Sequence, residues 1–300
     1  MNANGMRRRD FGALALGVAG AAALPRAAQR SDWTRLWNGR NLEGWTTWMQ
    51  RPEPSSTVVG LARDAAGKYT APIGSGRDPL QVFTVAPDVD GRPAIRISGE
   101  VFGELRTTRS YADYHLKLEF KWGEKKWPPR DGATTARDSG LLYHVHAAPG
   151  AEGRTWARSI ELQIQEHDVG DLYAVGSTIA VRAKSRRNGT ALEYVYDPEG
   201  DWTYFTQNQG APGRCLKQPD AEKPSGQWNT VELVCLGPEA IHIVNGTVVM
   251  RLHDPKRIQG ALPTPVTSGA IILQSEGAEI FYRNVEIRSI RNIPTEYAPS

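Results

Sequence analysis

Two stretches of the chain concentrate side chains that can move protons. One is Asp138-Ser139-Gly140-Leu141-Leu142-Tyr143-His144-Val145-His146, and the other is Glu161-Leu162-Gln163-Ile164-Gln165-Glu166-His167-Asp168. Paired carboxyl groups are the usual equipment for breaking a glycosidic bond, because one group must donate a proton while another accepts one or attacks. In an extended chain alternate side chains share a face. Glu161, Gln163 and Gln165 then line one side, with Glu166, His167 and Asp168 clustered at the strand end. By the same period His144 and His146 point together. Two imidazoles near Glu161 or His167 could bind a divalent metal or act as acid and base. A solvated outer sheet and metal-free surface histidines fit the same patterns. A third group, Gln274 and Glu276, falls at the end of a strand, where a concave sheet presents ligands, and Arg283 and Asn284 fit structural pairs.

Such side chains need strands to hold them, and the chain supplies many. Residues 115–122 alternate cleanly: Leu116, Leu118, Phe120 and Trp122 face one way, and His115, Lys117, Glu119 and Lys121 the other. Residues 139–146 are expected to place Leu141, Tyr143 and Val145 opposite Leu142, His144 and His146. In 159–165, Ile160, Leu162 and Ile164 oppose the Glu-Gln-Gln face. Asn245-Gly246 turns one hairpin, and further strands are expected over 230–236, 240–245, 247–252, 269–275 and 280–289. Residues 46–80, rich in Pro, Gly and Ser, read as a long loop or a small subdomain elaboration. No amphipathic helix, internal repeat or composition break stands out. The expected fold is an all-β, two-sheet sandwich.

Of the 300 residues, 40% are hydrophobic and 23% charged, a globular composition, and the net charge of +3 argues against a nucleic-acid binder. The basic run Lys184 to Arg187 beside Asn188-Gly189 suits a solvated loop better than an anion site. Nine Trp and ten Tyr suit both core packing and stacking on sugars. At the N-terminus, Arg7-Arg8-Arg9-Asp10-Phe11 precedes a mild apolar run, Gly12 to Leu24, and small-residue cleavage sites. This pattern predicts a twin-arginine export signal over residues 1–30, a mature domain over 31–300 and a periplasmic or secreted destination. The run is too short to span a bilayer, and no cysteine offers a lipid anchor, so no membrane attachment is expected. Cys215 and Cys235 permit a disulfide worth on the order of 3 kcal/mol, or two separate thiols.

Several segments, in order, resemble the 3-keto-disaccharide hydrolase family. They are Leu36-Trp37-Asn38-Gly39-Arg40-Asn41-Leu42-Glu43-Gly44-Trp45, Gly103 to Thr107, Tyr111 to Phe120, Asp138-Ser139-Gly140-Leu141, Glu161-Leu162-Gln163-Ile164, Gln227-Trp228-Asn229-Thr230 and Gly269 to Asn284. Asp138 stands where the family usually has Asn, and Ser275-Glu276 where many members have Asp-His. The resemblance implies a concanavalin A-like, laminarinase-like jelly-roll sandwich. It also implies cleavage of glycosides oxidised to a ketone at carbon 3, with an upstream 3-dehydrogenase as a metabolic partner. A carbon-3 ketone acidifies the carbon-2 hydrogen, so the site needs a base, a stabiliser for the enolate and an acid. The expected site comprises Glu161, His144 and Glu166 as catalytic groups, with Arg109, Lys121, Asp138, Gln163, Gln274 and Glu276 on the substrate and His146 and His167 toward a divalent metal. Two alternatives remain. Glu161-x-Gln163-x-x-Glu166 also resembles the carboxylate strand of laminarinase-type retaining glycosidases, and a non-catalytic sugar-binding module fits the same fold.

Overall fold

The protein is described here from a computed structural model, which covers Met1 and residues 32–207, 210–258 and 262–299. The expected export segment lies outside the described residues. Asp32–Ser300 gather into one compact unit.

Two antiparallel sheets form the body. The larger contains, in spatial order, Ala191–Tyr196, Ser177–Asn188, Thr247–Ile258, Glu239–Val244, Asn229–Leu236, Tyr114–Lys126, Ala278–Ser289, Arg92–Ile97 and Phe83–Val89. The smaller runs Arg214–Cys215, Leu172–Tyr173, Ile160–Gln165, Asp138–Val145, Ser268–Ser275, Gly103–Thr107, Trp45–Met49 and Gly74–Ser75. Period-2 alternation sets which side chains enter the space between them. Leu116, Leu118, Phe120 and Trp122 of one sheet share a single buried cluster with Leu141, Tyr143, Leu162, Ile164 and Leu273 of the other. The sandwich is thus the all-β, two-sheet fold read from the alternation. Residues 46–80 contribute short strands at Trp45–Met49 and Gly74–Ser75 to the smaller sheet and otherwise run as loop.

Alternation fails at one place that matters. Val145 pairs with Ala270 and Leu142 with Ile272, so Tyr143 and His144 together oppose Ile271 in a β-bulge. His144 takes the left-handed backbone conformation (φ 51°). Leu142 and Val145 consequently share the outer face of the sheet in a separate cluster with Ala157, Ala270 and Ile272. His144 turns inward, with its ring centroid 5.2 Å from that of Tyr143 and 6.4 Å from that of Tyr114. The expected grouping of Val145 with Leu141 and Tyr143 is corrected by this one extra residue.

The basic run Lys184–Arg187 lies on a hairpin strand rather than in a loop, exposed and partly paired: Lys184 meets Asp197 at 2.6 Å and Arg186 meets Glu193 at 2.9 Å. Cys215 and Cys235 sit in different sheets as buried free thiols, so the loop-closing disulfide does not form.

Candidate active site

The outer face of the smaller sheet is built from neighbouring strands in register. Glu161 lies opposite Tyr173 on one side and Leu142 on the other, Gln163 opposite Gly140, and Gln274 opposite Glu104. Their alternate neighbours Leu162, Leu141, Leu273 and Leu105 fill the core, which fixes the polar side chains on the opposite side. An outer sheet face would ordinarily be wet. Here Glu161 and Gln163 are 5% exposed, Asp138 is 2% and Gln274 fully buried.

Two segments close over the face. In the first, residues 146–159, the Ala157 N–H donates to Glu104 Oε1 (2.7 Å), Arg106 donates to the Ala147 carbonyl (2.8 Å), and Trp156 stacks on Phe102 at 6.0 Å. Gly150 lies flat on Trp48 in that segment. A Cβ there would come within 2.5 Å of the indole, and its φ of +66° also favours glycine. The second segment, after the Tyr114–Lys126 strand, delivers Arg130 to the carboxyl groups. Arg130 bonds Glu276 at 2.7 Å and also contacts Asp138. Asp138 accepts from Gln163 Nε2 (3.2 Å) and Gln165 Nε2 (2.9 Å).

The result is two carboxyl groups on one guanidinium, with a third, Glu161, within reach of their charges. Burial, with the Glu276 charge next in weight, pushes Asp138 up to about 8 against the pull of Arg130. Burial raises Glu276 too, again opposed by Arg130. Glu161 is raised well above the carboxylate range by burial and by the charges of Glu276 and Asp138, with the Gln274 amide pulling the other way. One cation cannot neutralise three carboxylates, so the cluster holds protons near neutral pH. Neither buried Gln274 amide atom makes a hydrogen bond of normal geometry, although the amide lies close enough to Glu161 to pull its pKa down. Buried polar groups are normally satisfied, and exceptions mark sites that await something.

Gly140 makes this meeting possible. A methyl group there would overlap both the Glu161 carboxyl and the Gln274 amide. The Gly140 backbone is ordinary strand, so Gly140→Ala should keep the fold by circular dichroism while displacing both side chains. Misplacement of this kind should lower kcat/KM at least about tenfold; parental kinetics would show that these two groups do not act together.

The structure brings Glu161, Gln163, Asp138, Gln274 and Glu276 into one cluster. The other expected residues lie elsewhere. His144 is on the core side of the bulge, both ring nitrogens unpartnered, and burial lowers it to about 4, so it is a neutral ring without access to the cluster face. Glu166 is clamped by Arg137, from the guanidinium at 2.7 Å and the backbone N–H at 2.8 Å, and by the Ser225 hydroxyl. Its partial burial is outweighed by these bonds, which hold it below its ordinary value. Arg109 lines a separate cleft with Tyr111 and Thr34, and Lys121 pairs with Asp90 at 2.8 Å on the other sheet. His146 Nδ1–H donates to the His144 carbonyl (2.9 Å), and His167 is exposed in a turn at φ 75°. Among the described residues no three His, Cys, Asp or Glu side chains group as metal ligands. In the carboxyl cluster a guanidinium already takes the cation's place, so these residues do not fit a divalent ion.

Arg130, Glu104 and Tyr173 join the site without standing out in the sequence. Arg130 sits in the Pro-rich stretch Trp127-Pro128-Pro129-Arg130-Asp131, which has no periodicity to read. Glu104 alternates with Leu105, and burial lifts it to about 7 against the Ala157 N–H. Tyr173 belongs to a strand of two residues, too short to signal itself.

Comparison with solved structures finds distant sandwiches. A candidate glycosyl hydrolase of Parabacteroides distasonis is 16% identical, with 88% of this chain and 98% of that chain covered and a TM-score of 0.47. A β-glucanase of Bacillus licheniformis is 11% identical, with 88% and 100% covered and a TM-score of 0.37. The carbohydrate-binding module CBM66 of Bacillus subtilis is 11% identical, with 69% and 92% covered and a TM-score of 0.36. No curated protein matches the chain. A family pattern does, continuously from residue 32 to residue 288 and through every strand of the candidate site, and by that match the chain belongs to the 3-keto-α-glucoside-1,2-lyase-like domain family.

Proposed function

We propose that this carbohydrate-active protein cleaves 3-keto glycosides by elimination across carbons 1 and 2. The observation that carries the reading is the buried Glu161 carboxyl, set against an unpartnered Gln274 amide and beside an Arg130-held carboxyl pair. The proton on carbon 2 passes to the Glu161 carboxylate, and the electron pair spreads onto the carbon-3 oxygen as an enolate. Arg130 supplies the nearby positive charge. The enolate collapses to a carbon 1–carbon 2 double bond, and the carbon 1–oxygen bond breaks. The proton held by Glu161 goes to the departing oxygen, giving an unsaturated ketone and a free alcohol. Burial raises the Glu161 pKa well above its ordinary value, which makes the group a stronger base when ionised and a ready donor once protonated. Gln163 and Gln274 offer amides to the sugar hydroxyls. Water added across the double bond completes net hydrolysis. A 3-dehydrogenase upstream would supply the ketone.

Incubation with a glucoside and with its 3-keto form tests the reading. Only the keto form should be consumed, with a transient enone absorbance. Equal turnover of the unoxidised glucoside would instead favour the retaining-glycosidase alternative, which the clamping of Glu166 by Arg137 and Ser225 argues against. Export by the twin-arginine route is part of the same proposal, resting on Arg8, Arg9 and Phe11. Replacing both arginines with Lys should retain the precursor in the cytoplasm, as fractionation would show; unchanged periplasmic yield would exclude that route.

A further inference from the structure

The face of the larger sheet turned away from the core carries a half-exposed aromatic pair. Trp202 and Tyr204 lie on the strand Asp201–Thr206, each 52% exposed, while Phe205 between the sheets is fully buried. Side chains two residues apart on a strand stand on one side, roughly 7 Å from each other. That strand pairs with Ser177–Asn188, and among the described residues no strand is paired along its other edge. Beside it a cleft of about 220 Å³ is lined by Arg182, Tyr196, Trp202, Glu239, Arg251 and His253. The Arg182 guanidinium lies 4.7 Å from the Trp202 ring centroid, and the His253 ring 5.8 Å from it.

The charges in this cleft are not used up by the fold. Arg182 donates to the Gly200 carbonyl (3.1 Å) and Arg251 to the Tyr297 carbonyl (2.7 Å). Each keeps further N–H donors, and among the described residues neither has a carboxylate partner. Glu239 is the single acid in the lining, so the cleft is net positive. A guanidinium fork matches a carboxylate geometrically, and an exposed indole or phenol ring offers a flat apolar surface edged by polar groups.

We propose that this cleft is a second saccharide site, separate from the carboxyl cluster, for a glycan that carries uronate carboxylates. The pyranose rings stack along Trp202 and Tyr204, and Arg182 and Arg251 bond the carboxylates. A neutral glycan would leave both guanidinium forks unused, so charge complementarity selects the acidic one.

Titration calorimetry on the full chain tests this with a galacturonic acid oligomer and, in parallel, a neutral cello-oligosaccharide. The acidic oligomer should bind and the neutral one should not. Trp202→Ala should weaken binding about tenfold or more, and Arg251→Gln should do likewise. Both variants should leave turnover of a small 3-keto glucoside unchanged. Absence of binding, equal binding of the neutral oligomer, or full binding by Trp202→Ala would each overturn the proposal. So would a dimer in sedimentation that Trp202→Ala disperses, because the aromatic edge would then serve a second copy of the chain.

Discussion

Glu161→Gln should lower turnover of a 3-keto glucoside by about a hundredfold to ten-thousandfold, the range typical of losing one acid–base group. The substitution is near isosteric, so the loss should fall on kcat with little change in KM. Its effect on stability has a definite sign. The folded state lifts the Glu161 pKa well above its ordinary value of 4.5, so folding favours the protonated form. Above about pH 4.5 the unfolded chain ionises first, and Glu161 increasingly opposes folding until the pH passes its folded pKa. Gln removes that opposition. Melting temperatures of variant and parent should therefore agree near pH 4 and diverge toward neutrality, with the variant higher. Parental turnover would place the proton transfer elsewhere in the cluster. A variant that melts lower at neutral pH than at pH 4, relative to the parent, would contradict the assigned burial of the charge.

Arg130→Met should produce the largest loss of stability. Arg130 is the cation shared by Asp138 and Glu276, whose side chains are 3% and 14% exposed. Removing one partner of a buried pair leaves charge uncompensated at a cost of roughly 3–5 kcal/mol, and Arg130 keeps about a quarter of its side chain exposed, which favours the lower end. At about 3 kcal/mol the melting temperature should fall by roughly 6–12 °C at neutral pH. Without the guanidinium the two carboxyl pKa values rise further, so the deficit grows with pH and shrinks in acid, where both groups are protonated. Adding Glu276→Gln should recover part of the loss, because the pair is coupled through Arg130. A deficit independent of pH, or no recovery in the double variant, would show that Arg130 acts by packing alone. Activity should fall as well if the guanidinium faces the enolate.

Period-2 alternation was enough to find the sandwich and much of its candidate site. Leu116 to Trp122 marks a core strand by its own pattern, and Glu161 with Gln163 marks a polar face because Leu162 and Ile164 beside them must go inside. Asp138, Gln274 and Glu276 joined that face because their strands pair side by side in the fold. His144 shows where the pattern ends. A bulge adds one residue without any composition signal, and every side chain beyond it changes face. Glu166 looked available because its sequence neighbours do not include Arg137 or Ser225, which reach it only in the folded chain. Lys121 carries a suitable charge on a strand of the other sheet, and Arg109 follows the Gly103–Thr107 strand into a separate cleft; local alternation shows neither placement.

Local alternation of apolar and polar side chains is sufficient to read the fold class, the faces of the regular strands and the carboxyl and amide groups on one of them. Burial of this polar face, the entry of Arg130 from a loop and the sharing of protons among three carboxyl groups arise only on folding. Burial and charge coupling depend on distances between segments far apart in the chain, and no local pattern carries that information.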